Sequence, residues 1–170
     1  MTDFQDRIEA RRRVLERLTG LIPGYRRYQQ LEKRRDADKM NRDLLYSDLK
    51  SQQDALDKLM LKLTEAGNLD VLDDVDRAAR KLKTAADRIR LADYGVSGFF
   101  DAAKVEEEEL DRVYEFDLSL GEQVKAITRK VIELHDDEDS FVERLLELDL
   151  LIDGLDQRFS KRERVMLGVE

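Results

Sequence analysis

Carboxylates are the most concentrated reactive groups in this sequence, with acidic runs at residues 106–109 and 136–139. Clustered carboxylates can bind divalent cations, but a calcium loop counted from Asp136 puts Phe141 where such loops require glycine. A di-iron centre in a helical bundle needs two Glu-x-x-His turns, and this chain has one histidine, His135. We therefore interpret both runs as solvated helix faces and His135 as a helix-end cation. We expect no metal ion and no cofactor.

Phosphate-binding loops and activated nucleophiles are not indicated either. Neither Gly-x-x-x-x-Gly-Lys nor Gly-x-Gly-x-x-Gly occurs in the chain. Residues 95–98, Gly-Val-Ser-Gly, join two predicted helices and lack the Gly-x-Ser-x-Gly elbow of hydrolases. With no cysteine and a single imidazole, no nucleophile with an adjacent base can be named. We predict no catalytic residues and a protein that is not an enzyme.

A basic and aromatic segment is the best candidate for binding a partner. Its residues, together with two aromatic residues expected near the same end, are Tyr25, Arg26, Arg27, Tyr28, Arg34, Arg35, Tyr94 and Phe99. Such side chains can stack bases and hold phosphates, but the net charge of -8 opposes attraction to nucleic acid. Lipid headgroups are an alternative partner, and a protein interface is the interpretation that we favour.

Composition predicts a helical, cytoplasmic protein. Of the 170 residues, 41% are charged and 41% are hydrophobic, with 1 Pro and no Cys, a balance typical of long helices with charged surfaces in a reducing compartment. The first residues lack the apolar core of a signal peptide, and no apolar run has the length of a transmembrane helix. The charge is uneven, because residues 1–40 hold 11 Lys/Arg against 7 Asp/Glu and the remainder holds 20 against 32.

Residues 1–22 are predicted to form a separate amphipathic helix, predicted helix 1, over residues 3–19. Its apolar stripe consists of Phe4, Ile8, Leu15 and Leu18. Gly20 and Pro23 end the helix, since glycine suits a left-handed cap and proline cannot continue the hydrogen-bond ladder. The stripe can pack on the rest of the chain or lie on an anionic membrane. We favour packing, because acidic residues dilute the cationic face.

Residues 23–170 are predicted to form one elongated helical bundle. Its predicted helices 2, 3 and 4 cover residues 25–66, 70–91 and 99–134, and predicted helix 5 begins at residue 140. Apolar residues recur at steps of 3 and 4 in these segments, the rhythm of helix seams. Short connections make consecutive helices antiparallel neighbours. The expected fold class is all-α, an antiparallel, coiled-coil-like bundle of four to five helices whose very long second helix projects over residues 25–40.

The heptad rhythm also runs unbroken from Leu134 to Phe141, so predicted helices 4 and 5 could be one continuous helix. Four successive acidic residues are a poor last turn beside the negative end of the helix dipole. Ser140 and Glu143 have the spacing of a capping box, which favours a new helix start. We therefore favour a break.

Asp117 occupies an apolar seam position, so it needs a buried partner. A buried polar group without a partner costs several kcal/mol. The candidates are Arg88, which we take as the expected pair, Arg90, or an arginine of predicted helix 5. We interpret the pair as a device that controls helix register, with a catalytic acid as the alternative.

Two stretches carry a resemblance to known proteins. The first is Pro23-Gly24-Tyr25 followed by Tyr28, Glu32, Arg34, Arg35, Asp38, Lys39 and Arg42, and the second is residues 94–101 followed by residues 107–117. Together they resemble a group of small bacterial α-helical proteins with no established activity. The resemblance implies a bacterial cytoplasmic helical protein and implies no chemistry.

The resulting hypothesis is a non-enzymatic helical scaffold or adaptor that binds another protein or a second copy of itself. Its basis is the sustained helix seams, the charged surface and the lack of a catalytic motif. One alternative is a peripheral membrane protein that uses predicted helix 1. Another is a carboxylate-based metal-binding bundle.

Overall fold

The computed structural model describes residues 2–21, 34–92, 99, 107–136 and 140–169, some of them, mainly in the first helix, by their backbone alone. Their helices are α1 Thr2–Leu21, α2 Arg34–Glu65, a 3-10 turn Leu69–Val71, α3 Leu72–Leu91, α4 Glu107–Asp136 and α5 Phe141–Leu167. No strand occurs in these residues. The predicted all-α bundle is therefore confirmed. None of the described helices is long and apolar enough to cross a membrane.

Helices α2 to α5 form a four-helix bundle in which helices that are consecutive in the chain are antiparallel, while the neighbouring pairs α2/α4 and α3/α5 run parallel. α2 packs against α3 and α4, and α5 packs against the same two helices. The order around the bundle is therefore α2, α3, α5, α4. We call the upper end the one where α2 and α4 begin and α3 and α5 end, and the lower end the opposite one.

The chain turns back between α4 and α5. α4 ends at Asp136 and α5 begins at Phe141. The two helices lie side by side, with Gln123 Nε2 donating to the carbonyl of Leu151 at 2.8 Å. The favoured break is therefore confirmed and one continuous helix is excluded. The expected capping box is wrong, because the Ser140 side chain makes no cap hydrogen bond.

The main apolar core extends from the lower end of the bundle up to the level of Leu45 and Phe159. Its largest fully buried members include Leu49, Leu82 and Leu148, all from segments with the 3 and 4 spacing. α3 also buries four alanines, Ala78, Ala79, Ala85 and Ala86. Their small side chains let the neighbouring helices approach α3 closely.

α1 packs on the face formed by α2 and α4. Leu18 is fully buried against Leu118, and Met40 and Leu44 of α2 pack around this pair. Gly121 of α4 provides the space, since a Cβ atom there would lie 3.3 Å from Leu21 Cδ1.

Some predicted helix boundaries differ from the structure. The expectation that Gly20 ends predicted helix 1 in a left-handed cap is wrong, because α1 continues through Gly20 to Leu21 and Gly20 has no positive φ. Residues 25–33 lie outside the described residues, so the start of predicted helix 2 stays a prediction. The projection expected for residues 25–40 is wrong for its last part, because Asp38 is buried and Met40 packs beneath α1. Phe99 was expected to begin predicted helix 4, but it lies in a turn and packs against Val113 and Met166.

Candidate functional site

Most of the predicted binding segment cannot be placed. Tyr25, Arg26, Arg27, Tyr28 and Tyr94 lie outside the described residues, as do the side chains of Arg34 and Arg35 in the first turn of α2. Phe99 is the exception. It is half-buried in a small apolar cluster at the upper end of the bundle, beside Val113 and Met166. Its position indicates that Phe99 contributes to internal packing.

Four charged side chains meet inside the upper half of the bundle, and we call them the ionic layer. They are Asp38 and Arg42 of α2, Asp117 of α4 and Arg162 of α5, all buried. Arg162 Nε donates to Asp117 Oδ1 at 2.6 Å, and its Nη2 donates to Asp38 Oδ1. Arg42 Nε donates to Asp38 Oδ2 at 2.9 Å. Two acids and two bases thus form one connected, charge-balanced chain.

The ionic layer also reaches α3 through its backbone. Arg42 Nη1 donates to the carbonyl of Arg90 at 3.1 Å and lies 3.5 Å from that of Ile89. These carbonyls belong to the last turn of α3, where no further helical amide can bond them. The guanidinium also places a positive charge at the negative end of the helix dipole. All four bundle helices are therefore tied together at one level.

The expected pairing of Asp117 with Arg88 is wrong. Arg88 lies half-buried near the surface, where it donates to Asp156 at 2.6 Å and to Glu163, and its guanidinium sits 5.6 Å from the centre of the Phe159 ring. Asp117 bonds Arg162 instead, which was the third candidate considered, an arginine of predicted helix 5. The reason is geometric, because Arg162 continues the inward positions of α5 one turn beyond Phe159.

Three buried members of the ionic layer, Asp38, Arg42 and Arg162, are not among the residues predicted from the sequence, although a signal for them exists. Phe159, Arg162 and Met166 follow one another at steps of 3 and 4, as do Asp38, Arg42 and Leu45. The predicted seams are defined by apolar residues alone, so they do not include charged residues at the same spacing. A rule that also accepted matched acids and bases at these steps would have identified them.

Burial and neighbouring charges shift the pKa values of two members of the ionic layer, Asp117 and Arg162. Loss of water raises the pKa of the Asp117 carboxyl, and the attraction of Arg162 only partly opposes this shift. Loss of water also disfavours the charged form of Arg162, but the two carboxylates beside it outweigh this effect and raise its pKa. Both carboxylates are occupied by guanidinium groups. The arrangement is suited to fixing helix positions, since neither acid faces a free reactant.

Metal binding finds no support in the described part of the chain. Among those residues, no three or more histidine, aspartate or glutamate side chains are grouped so that they could share a metal ion. Part of the acidic run at residues 106–109, and residues 137–139, fall outside what the structure describes.

A second feature lies on the outside of α5, on the face that it forms with α3. Val142, Leu146 and Leu150 follow one another at steps of 4 and are 57%, 57% and 71% exposed. We call these three residues the α5 stripe. Val142 also lines an open cavity of about 410 Å³ at the lower end, whose apolar wall includes Leu59, Leu134 and Phe141. α1 lies over the opposite, α2–α4 face.

No protein family, no curated protein and no solved structure matches the chain. The function proposed below therefore rests on the chain's own geometry.

Proposed function

We propose that the protein is a non-enzymatic helical scaffold or adaptor that acts by binding another protein. The observation that carries this proposal is the α5 stripe, three large apolar side chains held in water on one helix face. A single exposed leucine is ordinary on a protein surface, but a contiguous apolar patch is characteristic of binding sites. The proposal places the protein in the bacterial cytoplasm, which the lack of cysteine supports.

The rest of the molecule supports a structural role for the bundle. The interior charges are paired with one another, and many surface charges are paired across helices, as Lys81 is with Asp149 and Asp153. Such a framework holds an external face rigid. Rigid faces bind partners without the entropic cost of ordering a loop.

Affinity purification at native expression tests the proposal. We expect partners retained by the wild-type chain to be lost from a Val142→Ser/Leu146→Ser/Leu150→Ser variant. The matched control is Leu61→Ser/Leu167→Ser, which removes two side chains that are also more than half exposed. Partners common to the wild type and the control, but absent from the stripe variant, support the proposal.

The predicted basic segment supplies a second variant for the same experiment. An Arg26/Arg27/Arg34/Arg35→Glu variant asks whether those residues hold a partner, as the sequence analysis predicts. A partner list that neither this variant nor the stripe variant changes would overturn the proposed function.

A further inference from the structure

The α5 stripe lies in an acidic setting. Between Arg144 and Arg158, α5 contains four carboxylate residues, Glu147, Asp149, Asp153 and Asp156, and no lysine or arginine. Glu143 adds a fifth carboxylate within the first turn of the helix. Apolar side chains that are bordered by one sign of charge favour a partner of the opposite sign.

Neighbouring helices neutralise this acidity only in part. Lys81 of α3 bonds Asp149 at 2.8 Å and Asp153 at 3.1 Å. Lys130 of α4 bonds Glu147 at 2.6 Å and also shares its charge with Glu133. Arg88 of α3 bonds Asp156 at 2.6 Å and also Glu163, so each of these three cations serves two carboxylates. The immediate surroundings of the stripe keep a net negative charge.

Two acceptors beside the stripe remain unused within the described part of the chain. Asp149 Oδ1 is buried and accepts no hydrogen bond there, although its other oxygen is bonded to Lys81. Asp149 shares its groove between α3 and α5 with Val142 and Leu146, and the α3 ion pair Asp74–Arg77 also lines it. Glu143 is exposed and forms no ion pair with another described residue. Glu143 lies where a donor from outside could reach it, whereas the unused oxygen of Asp149 is enclosed.

The spacing of the stripe selects the shape of the partner. From Val142 to Leu150 it extends about 12 Å along α5, and Ala78 and Leu145 line the groove beside it. An amphipathic helix binds such a surface through anchors spaced 3 or 4 residues apart. A second copy meeting the stripe would bring carboxylates against carboxylates, and an anionic membrane would be repelled for the same reason.

We infer that the α5 stripe and its carboxylate border form a docking site for a cationic amphipathic helix of a partner protein. This inference rests on the proposed function and adds the chemistry of the partner. Apolar anchors of the helix cover Val142, Leu146 and Leu150, and its lysine or arginine side chains lie along the carboxylate border and bond the exposed Glu143.

Two synthetic peptides test this inference on the full-length chain. One is a helical peptide of about 18 leucine and lysine residues with leucine at helix-face spacing, and the other carries glutamate in place of lysine. We expect the lysine peptide to bind the wild-type chain in a titration. The Val142→Ser/Leu146→Ser/Leu150→Ser variant should bind the lysine peptide at least about tenfold more weakly, because the leucines of the peptide no longer find apolar side chains to pack against.

Two variants separate docking at the stripe from general attraction to an acidic protein. Glu143→Lys should weaken binding several-fold and reduce its salt dependence, because rim charges act through long-range attraction. Leu61→Ser/Leu167→Ser should bind like the wild type. Circular dichroism establishes that every variant keeps its helices.

Three results would overturn the inference. The lysine peptide could bind the stripe variant as tightly as the wild type, the glutamate peptide could bind equally well, or neither peptide could bind. A wild-type dimer in sedimentation that the stripe variant converts to a monomer would instead assign the stripe to a second copy. In each case the co-purification experiment still decides the proposed function, so the two failures are distinguishable.

Discussion

At the level of single residues, the ionic layer is a set in which each charge depends on the others. Moving a carboxylate or a guanidinium out of water costs several kcal/mol, and only close opposite charges offset this cost. Arg162 compensates Asp38 and Asp117 at once, and Arg42 completes the pairing of Asp38. Removing Arg162 therefore leaves Asp117 buried without its hydrogen-bonded cation and leaves Asp38 with Arg42 alone.

Arg162 offers the most direct test of that dependence. We expect Arg162→Leu to lower the free energy of unfolding by about 3–5 kcal/mol, because two buried carboxylates lose their shared partner. Arg164→Leu, at an exposed position of the same helix, should change it by less than about 0.5 kcal/mol. Replacing all four members with apolar residues should restore stability close to that of the wild type. Urea unfolding measures all three, and equal losses in the single and fourfold variants would contradict this interpretation.

The raised pKa of Asp117 predicts the direction in which the free energy of unfolding changes with pH. Because burial raises its pKa, the folded chain binds a proton more tightly than the unfolded chain does. This carboxyl contributes stability that is fully present below its unfolded pKa of about 4 and is lost as the pH rises through the folded value. The stability difference between the wild type and Asp117→Asn should therefore fall over that interval. Urea unfolding at stepped pH measures it, and a difference that grows with pH would show that Arg162 outweighs burial.

At the level of elements, α5 presents a buried and an exposed leucine two residues apart. Leu148 is fully buried, and Leu150 is mostly in water. We expect Leu148→Ala to cost about 2–5 kcal/mol through lost burial and the cavity that it leaves. Leu150→Ala should change stability by less than about 0.5 kcal/mol. Thermal or urea unfolding compares them, and a large loss from Leu150→Ala would place that side chain in the core.

The contact between α1 and α4 depends on the size of residue 121. Gly121→Ala adds a contact at 3.3 Å to the flexible end of Leu21, which a small shift relieves, and alanine also favours the helix by about 1 kcal/mol. Gly121→Leu needs far more space and should release α1 while the four-helix bundle stays folded. Amide exchange should then accelerate in residues 14–21 and not in α3. Uniform acceleration would mean that α1 and the bundle unfold together.

The sequence predicted well which segments form helices and which face of each helix points inward. Apolar residues at steps of 3 and 4, such as Leu82 in α3 and Leu148 in α5, define an inward face by themselves. The local sequence does not specify which helix packs against that face. The position of α1 on the α2–α4 face therefore became known only from the structure. Asp117 shows the same limit. Its need for a cation was evident, but the choice between Arg88 and Arg162 depends on how α5 is rotated against α4.

At the level of the whole molecule, α1 and the α5 stripe occupy opposite faces of the bundle. Leu18, the buried apolar residue of α1, packs against Leu118 of α4 and is therefore not exposed to a membrane. The stripe on the other face has an acidic border, which anionic lipids repel. We therefore expect the wild-type chain to stay in the supernatant with anionic vesicles at low salt. Sedimentation measures this, with neutral vesicles as the control. Binding to anionic vesicles that high salt reverses would instead favour the membrane-associated alternative, in which α1 leaves the bundle.

The ionic layer affects the rate at which a partner associates with the stripe. Arg162 and Leu146 belong to the same continuous helix, about 24 Å apart along its axis. If α5 slid by one turn, Arg162 would leave both carboxylates behind, so the helix is held against axial movement. A partner therefore meets a face that needs no rearrangement before contact. Its association rate should rise linearly with concentration without reaching the plateau that a slow prior conformational step imposes.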